Sequence, residues 1–140
     1  MIGNIINCLS WNKAVGNVAA GVDGTEVDGA DIDARGFDRA LFVLELGEVT
    51  ATGKIAFNIQ ESADGDAYTD IAGAGIAATV ATGKSDNSIL IEVPVSKGYL
   101  RYQYQRTVQS VEIDALQYAL YDSSKIPVAQ PAAVWQSIIV

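Results

Sequence analysis

The amino-acid sequence predicts an all-β protein, a β-sandwich of jelly-roll or Greek-key type with about eight strands. Three observations carry this expectation. Apolar residues recur with a period of two along much of the chain, the spacing that sends alternate side chains to opposite faces of a strand. Turn pairs punctuate these runs: Asp23-Gly24, Asp28-Gly29, Arg35-Gly36, Thr52-Gly53, Asp64-Gly65, Thr82-Gly83, Asp86-Asn87 and Lys97-Gly98. Glycine supplies the positive φ that tight turns need, and Asp or Asn bonds back to nearby backbone. Finally, 49% of the 140 residues are hydrophobic, enough for one buried core in one domain. The expected domain spans 1–140, with its core at about 22–122 and extended apolar arms at about 1–16 and 124–140.

The strands follow in order. Residues 40–46 are apolar at both parities, which marks a central strand or one whose outer face meets another subunit. Ile55, Phe57 and Ile59 alternate with Lys54, Ala56, Asn58 and Gln60, and Asp64-Gly65 then turns the chain into a short strand at about 68–71. The Gly/Ala-rich stretch 72–82 has no usable pattern. Ile89, Ile91, Val93 and Val95 alternate next. Pro94 lacks an amide hydrogen, so this strand is expected at an edge or with a bulge. Leu100, Tyr102 and Tyr104 form another inward set. In 111–121 the apolar parity changes near Ala115-Leu116, which reads as a β-bulge. A short helix over 116–120 is the competing reading, and β-branched and aromatic content favours the strand. The expected core is Phe42, Leu44, Ile55, Phe57, Ile59, Ile89, Ile91, Val93, Leu100 and Tyr102.

The two ends are unusual. Residues 1–12 and 126–140 carry no charge, and each stretch holds one of the two tryptophans, Trp11 and Trp135. Large exposed apolar patches are rare on soluble monomers, so both ends are expected to be buried on this core or on a partner. Ile5, Ile6, Trp11, Trp135, Ile138, Ile139 and Val140 are the candidate partner-binding residues.

Composition limits the chemistry. There is no histidine and one cysteine, which removes Ser-His-Asp and Cys-His catalysis and any histidine-ligated zinc. Cys8 lies in an apolar segment with no adjacent base and is expected to be inert. No catalytic residue, catalytic metal or cofactor is expected. The net charge is −8, from 17 acids and 9 bases, and the bases are scattered, so direct nucleic-acid binding is not expected. No stretch is apolar for the about 20 residues that a membrane helix needs, and a soluble protein made in a reducing cytoplasm is expected.

The acidic run Asp23, Glu26, Asp28, Asp31, Asp33 and Asp38 is read first as solvated loop and edge. A Ca²⁺ site through Asp28, Asp31 and Asp33 is the weaker alternative, because the spacing is not that of a calcium loop. Tyr99, Tyr102, Tyr104, Tyr118 and Tyr121 read first as core and rim packing, and second as a platform for sugars or bases. Arg101 and Arg106 are expected to pair with the acidic loops or with a partner. Two other function classes stay open: a carbohydrate-binding sandwich using these tyrosines, and a hydrolase or lyase using paired carboxylates.

Three stretches occur together: Arg35-Gly36-Phe37-Asp38 before the strand at 40–46, Gln60-Glu61-Ser62-Ala63-Asp64-Gly65 before Tyr68-Thr69-Asp70-Ile71, and Gly98-Tyr99-Leu100-Arg101-Tyr102. Their order over about 31–121 resembles small β-sandwich structural proteins of tailed bacteriophages. The size and apolar ends look most like the jelly-roll capsid decoration (cement) proteins, of the sort carried by a Bordetella short-tailed phage. Phage neck and tail proteins use similar sandwiches. The resemblance implies a non-enzymatic virion protein on the outside of the capsid, made in the host cytoplasm. It implies binding to the major capsid protein, bridging of neighbouring subunits, and a homo-oligomer, with a dimer favoured over a trimer.

Overall fold

The computed structural model describes residues 8–125 and 128–131. Among them run ten strands: β1 (Leu9–Val15), β2 (Val18–Gly21), β3 (Val27–Asp28), β4 (Ile32–Asp33), β5 (Phe37–Val49), β6 (Lys54–Ser62), β7 (Thr69–Val80), β8 (Ser88–Pro94), β9 (Tyr99–Thr107) and β10 (Val111–Ser123). They form two sheets. Sheet A has the order β1-β10-β5-β8, with β2 also against β10; sheet B has the order β3-β9-β6-β7, with β4 also against β9. Every pairing is antiparallel.

β1 and β2 share one edge position beside β10, and β3 and β4 share one beside β9. Ten strands therefore fill eight places. Followed in order, the chain passes from A to B to A, makes the β6–β7 hairpin in B, and returns A, B, A. Its first and last strands end as neighbours. This is a jelly roll, as the sequence predicts. Leu9–Val15 fall within the expected N-terminal arm and form strand β1, paired to β10 from Leu9↔Tyr121 to Val15↔Leu116.

Alternation builds the core. Ala40, Phe42, Leu44 and Leu46 of β5 point inward, as do Ile55, Phe57 and Ile59 of β6, Leu100, Tyr102 and Tyr104 of β9, and Val111, Ile113, Leu116 and Leu120 of β10. Of the ten expected core residues, Ile89 and Ile91 are only half-buried. The reason is position: β8 is an edge strand of sheet A, as Pro94 implied, and only Val93 of that strand is fully covered. The parity change in β10 is also present. Its register against β5 shifts between Ile113 and Ala115, so consecutive residues Ala115 and Leu116 are both buried.

The expected short strand at 68–71 is instead the twelve-residue β7, which runs through the unpatterned Gly/Ala stretch. Pairing with β6 overrides the weak local preference of small residues. The ladder breaks where Gln60 opposes Asp70 but Asn58 opposes Gly75, so β7 bulges outward there, with Gly73 at φ +79°. The Asp64-Gly65 turn is held by local bonds. Ser62 Oγ donates to Asp64, and Asp64 Oδ1 accepts from the Asp66 and Ala67 amides. Those amides, with the Ser62 hydroxyl, pull the Asp64 carboxyl down to about 2.

One glycine tests the packing sharply. Gly29 donates its amide to Tyr102 O at 2.8 Å, and a Cβ there would lie 2.6 Å from two Tyr102 ring carbons. Tyr102 is buried and stacked beside Tyr104, centroids 6.4 Å apart, so the ring has little room to yield. Gly29→Ala is expected to cost about 1–3 kcal/mol of stability, read from the urea midpoint.

Candidate functional site

The inward set of β5 fixes what its outward set must do. Leu41 and Val43 stand on the outer face of sheet A, and register places their neighbours. One row runs Trp11, Ala119, Leu41, Glu92; the row on one side is Leu9, Tyr121, Arg39, Pro94; on the other it is Lys13, Gln117, Val43, Leu90. An apolar run of Trp11, Ala119 and Leu41 crosses this face from β1 to β5 with Leu9 and Val43 beside it, and Lys13, Arg39, Glu92 and Gln117 flank it. Trp11 is 37% exposed and Leu90 is 65% exposed. A hollow of about 340 Å³ is lined by Cys8, Leu9, Trp11, Leu41, Ala119, Tyr121 and Asp122. Beside it Glu92 accepts from both the Tyr121 hydroxyl and Arg39 Nε, bonds that hold its carboxyl below the usual range.

The free edge of β1 is closed by a side chain. Gln130 Oε1 accepts from the Trp11 amide at 3.3 Å, and Gln130 Nε2 donates to Leu9 O at 2.6 Å. One side-chain amide thus meets the outward-facing backbone groups of an edge strand, as a neighbouring strand would.

The outer face of sheet B is polar. Arg101 donates to Gln60 Oε1, while Gln60 and Asn58 donate to Asp70, each at 2.8 Å. Asp28 accepts from Gln103 at 2.7 Å and pairs with Arg101. Arg101 also lies over the Tyr68 ring, 4.4 Å from its centroid. The Tyr68 hydroxyl is shut away from water without a well-formed bond. Burial, and then the nearby Asp31 carboxylate, push it up to about 12. Glu26, Asn58, Gln103, Gln105 and the bulge of β7 border an open trough of about 520 Å³.

At one end of the sandwich, Arg106 is buried and binds Asp23 through Nε and Nη2, at 2.9 and 2.8 Å. Its Nη1 donates to Ala19 O and Val111 O, at 2.9 and 2.8 Å. Burial pulls the Asp23 carboxyl upward, but the bonds from Arg106 outweigh it and leave the group below its ordinary value.

These contacts account for half of the acidic run. Asp23 serves Arg106, Asp28 serves Arg101 and Gln103, and Asp33 pairs with Arg35. Asp28, Asp31 and Asp33 are therefore not brought together, and among the described residues no three His, Cys, Asp or Glu side chains are placed to hold a metal ion. The tyrosines are likewise dispersed. Tyr102 and Tyr104 are core, Tyr118 packs on Phe42 with centroids 5.7 Å apart, Tyr99 lies under Arg35, and Tyr121 serves Glu92. No sugar-stacking platform arises from them.

Of the candidate partner-binding residues, Trp11 sits on the apolar face of sheet A. Ile5, Ile6, Trp135, Ile138, Ile139 and Val140 lie outside the described residues. Leu9, Leu41, Ala119 and Leu90 complete that face. In sequence it is signalled by Trp11 in the uncharged N-terminal stretch and by the two-sided apolar character of 40–46. No helix among the described residues is long and apolar enough to cross a membrane.

No protein-family model matches the chain, and no curated protein matches it. Solved structures similar to it include the C-terminal family 6 carbohydrate-binding module of LamC, a marine laminarinase from Zobellia galactanivorans. That match has 8% identity over 79% of this chain and 98% of that one, at a TM-score of 0.40. Another is Eiger TNF from S. frugiperda, with 9% identity over 89% and 98% of the two chains and a TM-score of 0.42. Neither likeness bears on function.

Proposed function

We propose that this chain is a non-enzymatic structural protein that docks other protein subunits on the outer face of sheet A. The observation that carries this is the apolar run Trp11, Ala119 and Leu41 across that face, with Trp11 open to solvent at the β1 edge and Leu90 at the β8 edge on a chain of net charge −8. An aromatic anchor amid smaller apolar groups, rimmed by charge, is the composition of a protein-binding patch. A large open apolar patch costs solubility unless something covers it. With the resemblance of the sequence to capsid decoration proteins, the favoured setting is a virion. There the chain would cement major capsid subunits on the outer surface as a homo-oligomer, after synthesis in the host cytoplasm.

The test is co-sedimentation of purified chain with undecorated capsids of its phage, beside sedimentation velocity of the chain alone. Leu41→Asp places a charge at the centre of the face without touching the core. It is expected to weaken particle binding or self-association at least 30-fold, as the loss of a central anchor of 2 kcal/mol or more would, while leaving the melting temperature within a few degrees. Equal binding by this variant would remove the face from the function. A second reading, a carbohydrate-binding module, has one observation in its favour: the trough on sheet B, bordered by amides and carboxylates. Saturable oligosaccharide binding that Asn58→Ala abolishes would favour it.

A further inference from the structure

We propose that the open side of the sandwich between β7 and β8 is a binding slot for a linear amphiphile with an anionic head, a medium-chain carboxylate in its simplest form. This surface is separate from the apolar face of sheet A, and the inference does not depend on the docking function.

The slot follows from the topology. β7 and β8 are consecutive in the chain yet stand at the edges of opposite sheets, so no ladder closes the side between them. A cavity of about 290 Å³ opens there. Leu46 and Ile89 line it from sheet A, Ile55 and Ile76 line it from sheet B, and Ala81 joins them from the crossover loop. Leu46, Ile55 and Ala81 are buried to within 4%, so the slot is a pit reaching the core. An apolar cavity of about 150 Å³ suffices to take a small hydrocarbon ring, and this one is larger. A chain end fits such a shape; a flat protein surface does not.

Thr79 of β7 also lines the cavity, its hydroxyl donating to the Ala77 carbonyl at 2.7 Å. Lys84, Asn87 and Ser88 border the opening and are exposed. Arg35, Arg39, Lys97, Arg101 and Arg106 are each paired with a carboxylate. Among the described residues Lys13, Lys54, Lys84 and Lys125 have no such partner, and of these Lys84 borders the slot. A greasy pit with an unpaired ammonium at its lip is complementary to an alkyl chain ending in an anion. The lip is also held in place. Ala81 N bonds Gly53 O, Lys84 N bonds Ala81 O, Asn87 N bonds Lys84 O, Leu46 N bonds Asn87 O, and Asp86 N bonds Gly47 O. A ligand would meet a preformed site, which lowers the ordering cost of binding.

Calorimetric titration of the full chain with octanoate, decanoate and decanol tests this, with amide chemical-shift mapping of the wild type. Two added methylenes at about 0.8 kcal/mol each should make decanoate bind about tenfold more tightly than octanoate. Lys84→Gln should weaken decanoate about threefold or more and leave decanol unchanged. Ile89→Trp, which fills the slot from an edge strand, should abolish both. Shifts should centre on Ile76, Lys84 and Ile89, a readout that stands even if the filled variant folds poorly. No saturable decanoate binding, or shifts centred on Trp11 and Leu41, would overturn the slot. An unchanged decanoate affinity in Lys84→Gln would overturn the anionic head.

Discussion

Replacing Arg106 with alanine is expected to lower the unfolding free energy by about 3–5 kcal/mol, the usual result of stripping one partner from a buried ion pair. The side chains of Arg106 and Asp23 are 7% and 11% exposed. The substitution leaves a covered carboxylate without its cation, and it removes the donor that satisfies the carbonyls of Ala19 and Val111. A control separates this cost from any net worth of the pair. The double variant Asp23→Leu/Arg106→Met should recover most of the loss, because apolar replacement of a whole buried pair is often close to neutral. The pH dependence has a definite sign. In the wild type the Asp23 carboxyl lies below its ordinary 3.8. The stability it confers is therefore fully present above about pH 4 and is lost as pH falls through the lower folded-state value. In Arg106→Ala the guanidinium bonds and charge are gone and only the residue-106 amide still opposes burial, so that carboxyl rises and the variant's deficit should shrink as the medium is acidified. Urea titrations at pH 7 and pH 4 check both statements. A deficit that grows on acidification would contradict them.

Phe42→Ala should cost a similar amount, about 3–5 kcal/mol, for an unrelated reason. Phe42 is fully buried on the central strand of sheet A, against the Tyr118 ring. Two neighbouring strands and the opposite sheet hold the backbone around it, so the space it leaves closes only in part. Leu41→Ala, one residue away on the outer face, should cost about 1 kcal/mol or less. That contrast in adjacent residues follows from strand alternation. It is measured as a fall in the urea midpoint at unchanged m-value. Equal losses at the two positions would mean the register of β5 is wrong.

Strands were legible where alternation used large side chains. Ile55-Phe57-Ile59 and Leu100-Tyr102-Tyr104 declare a face because each inward residue brings much area to bury. β7 was not legible, since alanine and glycine bury little on either face, and its course is fixed by the β6 backbone beside it. β3 and β4 are two residues each, too short for any period to show. Pro94 points to an edge or a bulge and β8 is an edge, but a strand pattern does not tell how far an edge is covered, so Ile89 and Ile91 lie less deep than their alternation suggests. On the functional side, the sequence marked residues 40–46 as apolar on both faces, yet it did not reveal that Leu9, Trp11 and Ala119 lie across from them. The slot was invisible, because Leu46, Ile55, Ile76 and Ile89 meet only through the divergence of two sheet edges.

The Gln130 amide on β1 has a consequence for how copies of this chain can associate. An uncapped edge beside an apolar face invites one molecule to extend the sheet of the next, and repetition of that step has no natural end. With the Leu9 carbonyl and the Trp11 amide already engaged, sheet A does not propagate past β1 at this point. A self-complementary contact through its outer face would close at two molecules, whereas edge addition would lead toward a fibre.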